Sequence, residues 1–121
     1  LYNYLGEKEM TPEDVKKDDV GNVEDETLLL VSGSRLSKEE GKEYIKRLAN
    51  AILSVFAKHE TVKLRCVGAA AINNAVKSFI IAKGEAQKKG DSLMFDPSFT
   101  TVTFRSGEEK TGVVFLVEPL D

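Results

Sequence analysis

The sequence predicts an α/β two-layer sandwich, a β-α-β-α-β-β mixed sheet with two helices packed on one face. Two segments, 38–58 and 70–83, repeat apolar residues at three- and four-residue steps, as amphipathic helices do. Short apolar or alternating runs at 27–31, 61–67 and 92–118 surround them and read as strands. The chain has 121 residues, 41% hydrophobic and 31% charged, which suits one domain with a real core and is too little for two.

Thr27-Leu28-Leu29-Leu30-Val31 is apolar without alternation and is ended by Ser32-Gly33-Ser34, the pattern of a buried strand. Ser37 with Glu40 three residues on is a capping box that starts the first helix. Ile45, Leu48, Ile52, Val55 and Phe56 form its apolar stripe, with Lys42 and Lys46 on the opposite side. Residues 61–67 alternate, so Val62, Leu64 and Cys66 share one face of a strand and Lys63 and Arg65 the other. The second helix has Ile72, Ala75, Val76, Phe79 and Ile80 as its stripe and small residues Ala69, Ala70 and Ala71 at its opening. Gly84 is expected to stop it, leaving 85–90 as a polar loop.

Residues 92–95 and 100–105 bracket an Asp96-Pro97-Ser98-Phe99 corner and form two strands or one bent strand. Phe99 and Phe104 are expected to pack in the core or hairpin rather than to stack on bases. Ser106-Gly107-Glu108-Glu109 is a hairpin turn leading to the last strand, 111–118. The βαβ crossovers should be right-handed, each strand running parallel to the one that follows its helix.

The net charge of −3 is a sum of unlike parts. Residues 1–26 hold nine acids against three lysines, whereas 27–121 hold fourteen basic and eleven acidic side chains. This divides the chain into an acidic, partly flexible N-terminal arm (1–26) and a single mildly basic domain (27–121). Three roles stay open for the arm: a solubilising extension, a segment folded back on a basic face in competition with a polyanion, or a docking segment for a protein partner. Tyr2, Tyr4 and Leu5 could anchor it, and Thr11 before Pro12 predicts a helical turn near 12–17.

Several function classes fall away. One cysteine and one histidine exclude an intrachain disulfide and a thiolate metal cluster, and no cofactor or metal is expected. There is no Ser/His/Asp order, no H-E-x-x-H, no G-x-G-x-x-G and no Walker-type loop, so catalysis is not expected. Cys66 alternates into the core as an inert thiol, and His59 sits near a helix end beside Glu60. Without an apolar run of roughly 20 residues or a basic-then-apolar leader, no membrane partner is expected and the expected location is the cytoplasm.

The run Val67-Gly68-Ala69-Ala70-Ala71-Ile72-Asn73-Asn74-Ala75-Val76-Lys77, continued by Ile81-Ala82-Lys83-Gly84, resembles the stage V sporulation protein S family. The likeness resumes at Asp96-Pro97-Ser98-Phe99-Thr100, at Gly107-Glu108-Glu109-Lys110-Thr111 and at Phe115-Leu116-Val117-Glu118-Pro119. The resemblance covers roughly residues 28–119. It implies a small cytoplasmic or nucleoid-associated regulator or nucleic-acid binder with an Alba-like fold that forms homodimers or higher homo-oligomers.

Alba-type proteins contact DNA or RNA through the loop after the first strand, the start of the second helix and the last hairpin. Carried over by position, the loop cations fall near Ser34 and Arg35, while those of the second helix fall near Ala70 and Asn74, which are uncharged. The hairpin offers Arg105 and Lys110 with Glu108 and Glu109 between them. The expected nucleic-acid set is Ser34, Arg35, Lys38, Asn74, Arg105 and Lys110, and the expected self-association seam is Ala69, Ala70 and Asn73. Both helix starts follow glycine-containing turns, which serve chain reversal or direct N–H groups at a phosphate. With few cations, binding to RNA or DNA should be weak, salt-sensitive and sequence-independent. The alternative is a protein-interaction module without nucleic acid.

Overall fold

A computed structural model describes residues 25–33 and 37–120 of the chain. The expected turn at 12–17 and most of the acidic arm lie outside these residues. The element order is β1 (Leu28–Leu30), α1 (Lys38–His59), β2 (Val62–Cys66), α2 (Ala69–Lys88), β3 (Leu93–Thr103) and β4 (Glu109–Pro119). The four strands form one sheet in the order β1-β2-β4-β3. β1 is parallel to β2, whereas β2–β4 and β4–β3 are antiparallel. β2 and β3 therefore run the same way, but β4 fills the slot between them.

The register sorts side chains by face. Leu29, Val62, Leu64, Cys66, Phe115 and Val117 join Tyr44, Leu48, Ala49 and Ile52 of α1 and Ala71, Ala75, Phe79, Ala82 and Ala86 of α2 in one core. Both helices thus pack on the same face, as the apolar periods predict. Ser37 caps α1: its Oγ accepts from Glu40 N–H at 3.1 Å, and Glu40 Oε1 accepts from Ser37 N–H at 3.0 Å.

α2 departs from expectation twice. It runs through Gly84 to Lys88, because buried Ala82 and Ala86 continue its packing stripe past the glycine. The turn instead comes at Gly90, with φ 88°. The stripe is also rotated: Ile80, expected in the core, is 60% exposed, and alanines with Ser78 and Phe79 take the inner positions. Small inner side chains bring α2 close to the sheet, where Phe79 stacks on Phe95 (centroids 4.1 Å) and Phe95 on Phe115 (4.4 Å). Ser78 Oγ donates to Ile45 O at 3.1 Å and joins the helices.

The Asp96–Phe99 corner is part of one continuous strand. Pro97 pairs opposite Phe115, a position open to proline because β3 lies at the sheet edge. Phe99, expected to pack in the core or hairpin, is 84% exposed: it falls on the helix side of β3 but beyond the cover of α2. Gly112 sits where the backbone leaves no room for a side chain. A Cβ there would lie 2.7 Å from the Cys66 carbonyl oxygen and 3.4 Å from Val67.

Asp25 and Glu26, counted with the acidic arm by sequence, are tied to the body. Asp25 Oδ1 accepts from Thr27 N–H at 2.9 Å and from Thr27 Oγ1 at 2.6 Å, and Lys63 Nζ donates to Oδ2 at 2.9 Å. Burial opposes ionisation of Asp25, but the hydrogen bonds of Thr27 and Lys63 outweigh it and lower its pKa to about 2. His59 at the end of α1 lies 3.5 Å from the Glu26 carboxylate.

Two predictions follow from this packing. Gly112→Ala should destabilise the fold by about 1–3 kcal/mol, because backbone must shift, while Gly84→Ala should stabilise it by about 0.5–1 kcal/mol; urea unfolding of both measures the difference. A carboxylate with a lowered folded-state pKa contributes stability above the unfolded value, near pH 4, and loses it as pH falls toward 2. Asp25→Asn should therefore cost about 1–2 kcal/mol at neutral pH and flatten the fall in stability between pH 4 and 2, read from denaturant midpoints at each pH.

Candidate nucleic-acid interface

β1 and β2 end side by side at one end of the sheet, and both helices start there. The backbone of Ser32 is held from both sides. Its N–H donates to Tyr44 Oη of α1 at 2.6 Å, and its carbonyl accepts from Asn74 Nδ2 of α2 at 2.9 Å. Gly33 follows directly, and a Cβ there would lie 3.1 Å from the Ala71 backbone nitrogen and 3.5 Å from Ala70 Cβ. The loop leaving β1 thus rests on the first turn of α2, and any larger residue at either place would hold them apart.

The β3–β4 hairpin rises at the same end. Cys66, the last residue of β2, pairs with Val113, and the ladder continues beyond it from Thr100–Gly112 to Thr103–Glu109. Four further residue pairs carry the hairpin roughly 13 Å past the end of β2. A three-residue loop closes it: Gly107 N–H donates to Phe104 O and Phe104 N–H to Glu108 O, both at 2.8 Å. Gly107 has φ 93°, which glycine adopts without strain.

The predicted residues divide among these parts. Ser34 and Arg35 lie outside the described residues, on the stretch between Gly33 and Ser37. Lys38 is exposed in the first turn of α1. Asn74 is half-buried and its amide is engaged with Ser32, so it builds the loop's support. Arg105 and Lys110 are exposed near the hairpin tip, with Lys110 Nζ 5.8 Å from the centre of the Phe104 ring. Glu108 and Glu109 are exposed beside them. Ala69, Ala70 and Asn73 are exposed on the first turn and a half of α2.

The two helix starts differ electrostatically. At α1 the N–H groups are served by Ser37 and faced by Glu39 and Glu40, and the Glu40 carboxyl is held below its usual pKa by hydrogen bonds from Ser37. That start is already occupied by its own anion. α2 has no side-chain cap at Gly68 and no acid in its first turn. The sequence shows this difference in Glu40 three residues after Ser37 and in the lack of any acid in residues 68–74. Tyr44 is the residue sequence reading missed; its only signal is its place four residues before Leu48 and eight before Ile52 on the apolar stripe.

Cys66 is buried beneath this end, and burial pushes its thiol up to about 12, so it is neutral at physiological pH. Among the described residues no group of three His, Cys, Asp or Glu side chains could hold a metal, and no helix is long and apolar enough to cross a membrane.

The family comparison fits this frame. The model of the stage V sporulation protein S family matches residues 38–120, from the first residue of α1 to the residue after β4. That match takes in both helices, the glycine-led start of α2 and the whole hairpin. The chain belongs to the stage V sporulation protein S family.

Proposed function

We propose that this protein is a non-enzymatic sporulation regulator of the stage V sporulation protein S type that makes weak contact with the phosphate backbone of RNA or DNA. The observation that supports this reading is the gathering of three features at one end of the sheet: the uncapped start of α2, the loop leaving Gly33, and the hairpin bearing Arg105 and Lys110. Phosphate suits these groups better than base edges, since they offer point charges and N–H donors without a built frame for base pairing. Glu39, Glu108 and Glu109 reduce the local potential, so contact is weak and salt-sensitive. A cytoplasmic, nucleoid-associated location accords with such contact.

A second reading, a protein-interaction or self-association module, is favoured by a different observation. Exposed Phe99 lines a shallow apolar groove with Pro97, Ser98 and Val113, and Ile80 is exposed on α2. The Phe99 groove offers a homodimer or homo-oligomer an apolar contact surface.

Titration of single-stranded RNA and duplex DNA at two salt concentrations tests the first reading. With four cations engaged (Arg35, Lys38, Arg105 and Lys110), log K against log salt for single strands should have a slope no steeper than about −3. Reversing Arg105 and Lys110 together to Glu should make that slope shallower by about 1.4, while Lys58→Glu at the opposite end leaves it unchanged. Absence of binding at low salt, or binding indifferent to Arg105 and Lys110, rejects it. For the second reading, light scattering of Phe99→Asp should show a lower mass than the unmodified chain at tens of micromolar; equal masses reject the groove as the seam.

A further inference from the structure

At the end of the sheet away from the hairpin, a cleft of about 270 Å³ opens between the last turns of α1 and the start of β1. Leu29 faces the helices and Leu28 the other side of the sheet, yet both line the cleft, which places it along the edge of β1. β1 is an outermost strand of the sheet. Drug-sized ligands fill about 300–1,000 Å³, so an occupant of this cleft is smaller than they are.

Three chemistries meet in the lining. Val55 and Leu29 give it an apolar wall. Ser54 and Lys58 stand four residues apart on α1 and share one helix face, so a hydroxyl and an ammonium can converge on a single group. Glu26 supplies a carboxylate. His59 Nε2 lies 3.5 Å from Glu26 Oε1, beyond the roughly 2.7–3.2 Å of an N–H···O hydrogen bond, which leaves the carboxylate oxygens to accept from another donor. Among the described residues, neither Ser54 Oγ nor Lys58 Nζ has a hydrogen bond or ion pair of its own.

The two signs of charge narrow the class of ligand. A plain anion would meet repulsion from Glu26, and a plain cation would meet it from Lys58. A small molecule that carries both charges and an apolar group answers every part of the lining. We propose that this cleft binds a free α-amino acid with an apolar side chain. Its ammonium donates to Glu26, its carboxylate accepts from Lys58 and Ser54, and its side chain lies on Val55 and Leu29.

Titration of the isotope-labelled full chain with L-leucine to about 10 mM tests this, a concentration that fills most of a site with a Kd of about 1 mM. Backbone amide signals of Leu29, Val55 and Lys58 should shift saturably. Those of Gly107 and Lys110 on the hairpin, and of Val113 in the Phe99 groove, should stay in place. N-acetyl-leucine lacks the ammonium and leucinamide the carboxylate, so each should bind about fivefold more weakly, as loss of one exposed ion pair implies. Glu26→Gln should weaken leucine by about the same factor without weakening N-acetyl-leucine. Lys58→Met should weaken leucine without weakening leucinamide. Both side chains are exposed, so the fold persists in each variant. Absence of a saturable shift at the cleft amides overturns the proposal. Equal binding of leucine, N-acetyl-leucine and leucinamide also overturns it, as does a loss in Glu26→Gln that N-acetyl-leucine shares. None of these results bears on nucleic acid, since the hairpin stands at the other end of the sheet.

Discussion

At the end of the sheet where both helices start, the fold depends on one close contact, the seating of Ser32 and Gly33 on the first turn of α2. Two helices hold the Ser32 backbone with one hydrogen bond each: Tyr44 Oη accepts from its N–H, Asn74 Nδ2 donates to its carbonyl, and Gly33 lets the chain approach the Ala71 nitrogen. A buried peptide group left without partners costs about 1–3 kcal/mol, so these bonds fix where the loop after β1 can start. The alanines at the opening of α2 belong to the same arrangement. A larger side chain at Ala70 or Ala71 would push the loop away from Tyr44 and Asn74.

Sheet order then decides what else arrives at that end. Because β4 inserts between β2 and β3, the β3–β4 hairpin shares an end with both helix starts and outruns β2. Gly112 lets the hairpin root pass against the Cys66 carbonyl. Residues far apart in the chain, Lys38, Ala70 and Lys110, are gathered by topology alone. The charge there is mixed, which separates this end from a strongly basic cleft.

Local signals carried most of the fold. The capping box placed the start of α1 at Lys38, and its stripe carried the helix to within a residue of its end. The alternation of 61–67 gave β2 and the buried Cys66. What misled was local too: Gly84 reads as a stop, yet a helix gains more from burying Ala86 than it loses at one exposed glycine. Phe99 reads as core because aromatic residues usually are, and only the length of α2 relative to β3 leaves it uncovered. The Ser32 clasp was not legible, since its partners lie 12 and 42 residues away and nothing near Ser32 announces them. Among the site residues, the charges of the hairpin could be read directly, but the structural use of Asn74 could not.

Pro97 has a consequence for how this protein avoids trouble. β3 is an eleven-residue edge strand with an exposed phenylalanine two residues from the proline, the profile of a template on which further chains could pair. Proline has no N–H to give, so a ladder growing along this edge would be broken at its middle. Any partner that settles on Phe99 must do so through side chains, in a complex that closes, rather than by adding strands without limit.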